Sequence, residues 1–172
     1  SVSSENACRI AERIWKNECR GSLEGLTHWN QGENFASLGI GHFIWHPVGK
    51  KEGFVETFPD LLKFIQSKGK SLPDWLKNAK GCPWSSRDEF YKDMQSTRMK
   101  TLRQFLYQTK DLQAVFMAQR LEMAFAQILD HCSEEQRKTI SIIFHRLAAE
   151  ANGLYALIDY LNFKGAGIAL NE

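Results

Sequence analysis

Apolar residues recur along this chain first at helical spacing and then at strand spacing. Ala7, Ile10, Ala11, Ile14 and Trp15 fall three and four apart, with Ser3 and Ser4 available as caps ahead of them. That pattern predicts an amphipathic helix ending near Gly21. Between Gly25 and about Trp45 the period changes. Glycines interleaved with Thr27, Trp29, Phe35 and Ile40 predict a short hairpin or small sheet, with Asn30-Gln31-Gly32 as its turn. Positions 47–51 read as a loop.

From there the helical period returns and holds. Positions 59–68 carry Leu61, Leu62, Phe64 and Ile65 behind Pro59, and Gly69 closes the run, as a helix with proline at its start would end. A short helix follows Pro73. Ser86 and Glu89 have capping-box spacing, and Met99, Leu102, Phe105 and Leu106 mark the next amphipathic stretch. The longest helix is expected over 111–130, burying Leu112, Val115, Phe116, Leu121, Phe125, Ile128 and Leu129. Ser133 and Gln136 form a second capping box, opening a helix through Ile140, Ile143, Phe144 and Leu147. A last helix is expected over 154–163, ending at Gly165. With no repeat and no shift of composition, the chain reads as one domain over 1–172. Its class is α+β, mostly α, with a small β element at about 25–46.

Composition narrows the function classes. An apolar fraction of 43% over 172 residues suffices for a real core. Aromatics reach 12%, which serves either a large core or a groove that stacks on sugars or peptides. Lys and Arg total 22 against 20 Asp and Glu, a balance too even for a nucleic-acid protein. No apolar run approaches the roughly 20 residues of a bilayer span. The chain begins at Ser1 rather than Met, so an export signal is either removed or outside this sequence; an exported, periplasmic or extracellular protein is expected.

Cys8, Cys19, Cys82 and Cys132 match no zinc spacing. On one helix, Cys8 and Cys19 would lie about 16 Å apart along the axis and could not bond. Two two-bridge frameworks, or four thiols, stay open.

The candidate chemistry begins with Glu18. It follows Ala7, Ala11 and Ile14 by eleven, seven and four residues, so it falls on the apolar face of the first helix at its last turn. Partial burial and the negative end of the helix dipole both favour the protonated form there. Alone, such a residue reads as an ordinary helix-terminal carboxylate paired with a nearby Arg or Lys. What changes the reading is the segment Ser37-Leu38-Gly39-Ile40-Gly41-His42 that follows in the hairpin, whose glycines would let backbone approach a sugar chain.

A helix-end glutamate followed by this hairpin resembles the lysozyme superfamily, phage-type endolysins in particular. There a catalytic Glu closes an early helix, and a Thr-x-Gly-x-Gly-His strand forms one wall of the cleft. The resemblance covers about the first quarter of the chain. It implies a lysozyme-like domain that cleaves peptidoglycan or a related glycan, with Glu18 as general acid, Ser37 in place of the Thr and His42 in place of the His. Segments 37–45 and 155–165 together are similar to a little-characterised bacterial family, whose members are expected to continue past residue 172.

One departure matters. The phage-type pattern has an Asp six residues before the Thr, and here that position is Gln31. Glu33 lies two residues on and would share a face with it on a strand. Glu33 could therefore serve as second carboxylate in an inverting hydrolysis. Glu18 could instead act alone, as both acid and base, as in lytic transglycosylases. Or the domain could bind glycan or a protein without cutting.

Further candidates for substrate contact are Trp29, with Phe35 and Trp45, which could stack on sugar rings or simply pack under the hairpin. Tyr155, Asp159, Asn162 and Lys164 are others; the first three recur along one helix face. His42, His46 and Glu33 make an incomplete metal set. No cofactor or metal is expected, and the chain is expected to be a monomer.

Overall fold

Helix α1 (Ser4–Glu18) buries Ala7, Ile10, Ala11 and Ile14, the stripe its spacing predicts. The structure, a computed structural model, describes residues 4–51 and 53–149. The main partner of α1 is the long helix α6 (Lys110–Asp130). Ala7 and Ala11 on one side, with Ala114 and Ala118 on the other, are all buried and small enough to let the two backbones approach closely. Lys110 ties the pair at one edge. Its Nζ lies 3.2 Å from Glu12 Oε1 and stands over the rings of Tyr107 and Trp15, a cation–π arrangement largely shielded from water.

After α1 the chain turns through Arg20 and Gly21, both left-handed, while the N–H groups of Cys19 and Gly21 bond the Trp15 carbonyl. A 3₁₀ turn (Glu24–Leu26) leads into a three-stranded antiparallel sheet: β1 (Thr27–His28), β2 (Ala36–Leu38) and β3 (Phe43–Trp45), in that order. Thr27 faces Leu38, and Ser37 sits between His28 and Ile44. The expected turn is present, with the Glu33 N–H bonded to the Asn30 carbonyl. Helices α2 (Phe58–Ser67), α3 (Asp74–Lys77), α4 (Arg87–Lys92) and α5 (Thr97–Gln108) precede α6, and α7 (Glu134–Ala149) follows it. The α+β, mostly helical reading therefore holds. The helix expected over 154–163 lies outside the described residues. No helix among them is long and apolar enough to cross a membrane.

Both serine caps form, but only one closes into a full capping box. At Ser133 the exchange is reciprocal: the Gln136 N–H bonds Ser133 Oγ, and the Ser133 N–H bonds Gln136 Oε1. At Ser86 the hydroxyl accepts from the Glu89 N–H, but the Glu89 carboxylate takes both donors of Ser85 instead. Aromatic rings form a continuous series through the core: Trp29–Phe90, Phe90–Trp84, Trp84–Trp75, Trp75–Trp45 and Trp45–Phe58, with centroids 4.9 to 6.3 Å apart.

Of the α6 residues expected to be buried, only Leu121 is fully so. Lys110, Gln113, Ala114, Met117, Ala118 and Leu121 are buried, Leu112, Val115, Phe116, Phe125 and Leu129 are only partly so, and Ile128 is 45% exposed. The reason is Gln113, a polar residue inside the contact stripe because its amide is fully bonded there. Past Leu121 no residue of α6 is fully buried. Met123 on α6 and Ile142 and Ile143 on α7 are exposed.

All four cysteines are thiols. Burial, and next the charge of Glu18, pushes Cys19 up to about 12. Burial likewise pushes Cys82 up to about 12. Because the folded state holds these protons more tightly, neither thiol affects stability below the ordinary thiol range. Both destabilise the fold as pH rises from 9.0 toward about 12. At pH 8, iodoacetamide is expected to modify exposed Cys8 in the native chain and to leave Cys19 and Cys82 untouched until denaturant is added. Peptide mass spectrometry would check this. Rapid native labelling of Cys19 would contradict the packing under the 3₁₀ turn.

Candidate active site

Glu18 is the final residue of α1, and His42 occupies the turn between β2 and β3. The fold brings them together. Glu18 Oε2 lies 3.7 Å from His42 Nε2, with the two side chains 33% and 34% exposed. Burial of Glu18 is thus partial, because the hairpin turn covers one side of it and leaves the other open.

The turn that presents His42 is held from behind. The Gly39 N–H bonds the Leu26 carbonyl at 2.8 Å, and the His42 N–H bonds the Gly39 carbonyl. The Ile40 N–H donates to Gln113 Oε1 at 2.9 Å. Gln113, with no exposed surface, gives its Nε2 protons to the Leu106 carbonyl and Thr109 Oγ1. His42 itself is left-handed, with φ 48°, a conformation costing a non-glycine residue about 1 kcal/mol. The surrounding bonds sustain that strain.

The glycines of the Ser-Leu-Gly-Ile-Gly-His segment serve this clamp and not a sugar. A Cβ on Gly39 would lie 2.5 Å from Gln113 Oε1, and one on Gly41 would lie 2.6 Å from the Phe43 ring and 3.0 Å from Met117 Sδ. Both glycines are buried. They admit α6, so the expectation that they let backbone approach a glycan is corrected.

The other predicted residues are placed differently. Gln31 is exposed at the tip of the β1–β2 turn, the end of the β1–β2 ladder away from His42. Glu33 belongs to the same turn. Its Oε2 accepts from Asn30 Nδ2 at 3.0 Å, and its carbonyl accepts from Trp29 Nε1 at 2.7 Å. These contacts hold Glu33 within the β1–β2 turn. Ser37 is buried in the central strand, so it packs the sheet and offers no open hydroxyl wall. Trp29 is corrected outright. It is 1% exposed, Phe90 lies against its ring and its N–H is spent on Glu33, so it cannot stack on a sugar. Phe35 and Trp45 are buried as well. Tyr155, Asp159, Asn162 and Lys164 lie outside the described residues.

His46 is buried, with Nε2 at 2.7 Å from the Phe54 carbonyl. No group of three or more His, Cys, Asp or Glu that could hold a metal occurs among the described residues.

Sequence reasoning missed a polar chain beside the sheet. Tyr91 Oη lies 3.1 Å from His28 Nδ1, His28 Nε2 lies 2.7 Å from Asn30 Oδ1, and Asn30 passes on to Glu33. Arg87 completes it, stacked on Tyr91 with Nε bonded to the Trp29 carbonyl. These contacts fix the β1–β2 turn against α4. Gln113 was missed too, although a glutamine breaking the apolar stripe of a long helix is a visible signal. Chemically, the site offers a helix-end carboxylate and an imidazole within ion-pair distance of each other, each partly open to solvent. No family model, curated protein or solved structure matches this chain.

Proposed function

We propose that this chain is an exported, lysozyme-like domain that cleaves peptidoglycan or a related glycan, with Glu18 as the general acid. One observation carries the reading: a helix-end carboxylate faces the imidazole of a Gly-x-Gly-His turn across 3.7 Å, each about one-third open to solvent. Cleavage needs a proton on the departing glycosidic oxygen, and Glu18 is the group offered for it. Because Glu33 is engaged by Asn30 in the β1–β2 turn, the single-carboxylate route is favoured over an inverting pair, whose second carboxylate must flank the scissile bond. In that route Glu18 protonates the leaving oxygen as the C–O bond breaks. The resulting carboxylate then takes the proton of the sugar's own 6-hydroxyl as that oxygen closes on the anomeric carbon. The acid is regenerated and the product carries an anhydro end.

Glu18→Gln is expected to leave helicity intact and to lower release of soluble fragments from purified walls by at least about a hundredfold. Mass spectrometry of the fragments would show anhydro ends, where a hydrolase would leave reducing ends. Digestion unchanged in the Gln variant would end this reading. A second reading, a glycan- or protein-binding module without turnover, draws on Gln31 standing where a carboxylate is expected. Retention on walls without fragment release would select it.

A further inference from the structure

Among the described residues only two that are not glycine have a left-handed backbone, Arg20 and His42. Arg20 follows Glu18 by two residues, and His42 lies 3.7 Å from it. Arg20 leads out of α1, where helices commonly end through this conformation. His42 is the last residue of the 39–42 turn, ahead of β3, a place that glycine or asparagine fills with less strain. The segment uses glycine at 39 and 41 and keeps an imidazole at 42.

The turn holds that imidazole from several directions. The Gly39 N–H is bonded to the Leu26 carbonyl, and the Ile40 N–H to Gln113, which has no exposed surface. Gly41 sits against Phe43 and Met117 with no room for a Cβ. On the other side Phe43 is paired with Leu38 in the sheet. The backbone around His42 is therefore fixed by α6, the 3₁₀ turn and β2 together. Glu18 is fixed less firmly. It is the last residue of α1, its side chain can rotate about several bonds, and one-third of that side chain is open to water. A proton donor must keep its productive position to within about 0.5 Å, and a misplacement of about 1 Å can cost a hundredfold in rate.

We propose that His42 is a positioning residue: the clamped turn carries its imidazole to Glu18 and confines the carboxyl group to the pose from which it delivers its proton. This rests on glycan cleavage at Glu18 and adds the group that aims the acid.

Two variants separate aim from fold. Asparagine tolerates the left-handed backbone, but its amide ends short of the position of Nε2. Glutamine reaches that position and lacks the tolerance. In the substrate-free chain, scalar couplings along the Glu18 side chain should report one rotamer in the wild type and rotamer averaging in His42→Asn. Cleavage of solubilised wall strands by His42→Asn should fall about thirtyfold in kcat with KM unchanged, at a melting temperature equal to or above that of the wild type. His42→Gln should recover kcat to within about fivefold of the wild type, although it melts a few degrees lower. Activity and stability then move in opposite directions, which a purely structural histidine does not allow. Unchanged Glu18 couplings in His42→Asn, or a kcat that follows melting temperature across the variants, would overturn the assignment. A wild type that releases no fragments would count against cleavage alone, and the couplings would still decide whether His42 orders Glu18.

Discussion

Gln113→Leu is expected to destabilise the fold by about 3 kcal/mol or more, although it replaces a buried polar residue with an apolar one of similar size. The leucine would leave the Ile40 N–H and the Leu106 carbonyl without partners, in a place water does not reach. Each orphaned buried group costs roughly 1–3 kcal/mol. The gain in apolar burial does not offset two of them. Urea unfolding monitored by far-UV ellipticity measures the difference directly, and a loss under about 1 kcal/mol would mean that the Gly39–His42 turn does not depend on α6. The damage should also reach the candidate site, because Ile40 is two residues from His42.

Gly25→Ala should have an effect of similar size by a different route. A Cβ there would overlap the Cys19 carbonyl oxygen and lie 2.9 Å from both Cα and Cβ of Cys19. The obstructing atoms are mostly backbone, so no rotamer change relieves the clash, and the 3₁₀ turn must move away from the end of α1. Ser22 resists that movement. Its hydroxyl donates to the Cys19 carbonyl and accepts from the Gly25 N–H. Overpacking of this kind costs about 3 kcal/mol, or a fall in melting temperature of roughly 10 °C for a chain of this size. Gly32→Ala is the informative control. Gly32 has φ 84° but nothing within 4 Å of an added Cβ, so it should lose only about 1 kcal/mol. Equal losses at the two positions would show that the crowding at Gly25 is not decisive.

What could be read from the chain alone divides along the range of the interactions. Elements set by neighbours in sequence were legible: the α1 stripe, proline at the start of α2, both serine caps, and the Asn30–Glu33 turn. Features set by distant partners were not. Most of the fully buried residues of α6 were missed because Gln113 counted as polar, and its bond to Ile40 spans 73 residues. Trp29 could have lined a groove or filled the core, and only the arrival of Phe90 decides for the core. The meeting of Glu18 and His42 was foreseeable from the motif, whereas the use of its glycines to seat a helix was not. Glu33 shows the same division. Its turn was legible, but the network through Asn30 and His28 to Tyr91 depends on α4.

The aromatic series through the core carries an optical consequence. Trp29, Trp45, Trp75 and Trp84 all belong to it or its edges, and Trp15 packs on Tyr107 at the start of the α1–α6 contact. No tryptophan follows position 84. Intrinsic emission therefore reports on the sheet and the helices around it, and is blind to the distal half of α6 and to α7. Were those segments to melt first, ellipticity would fall while fluorescence stayed native, and a titration followed by light emission alone would overstate the cooperativity of the whole chain.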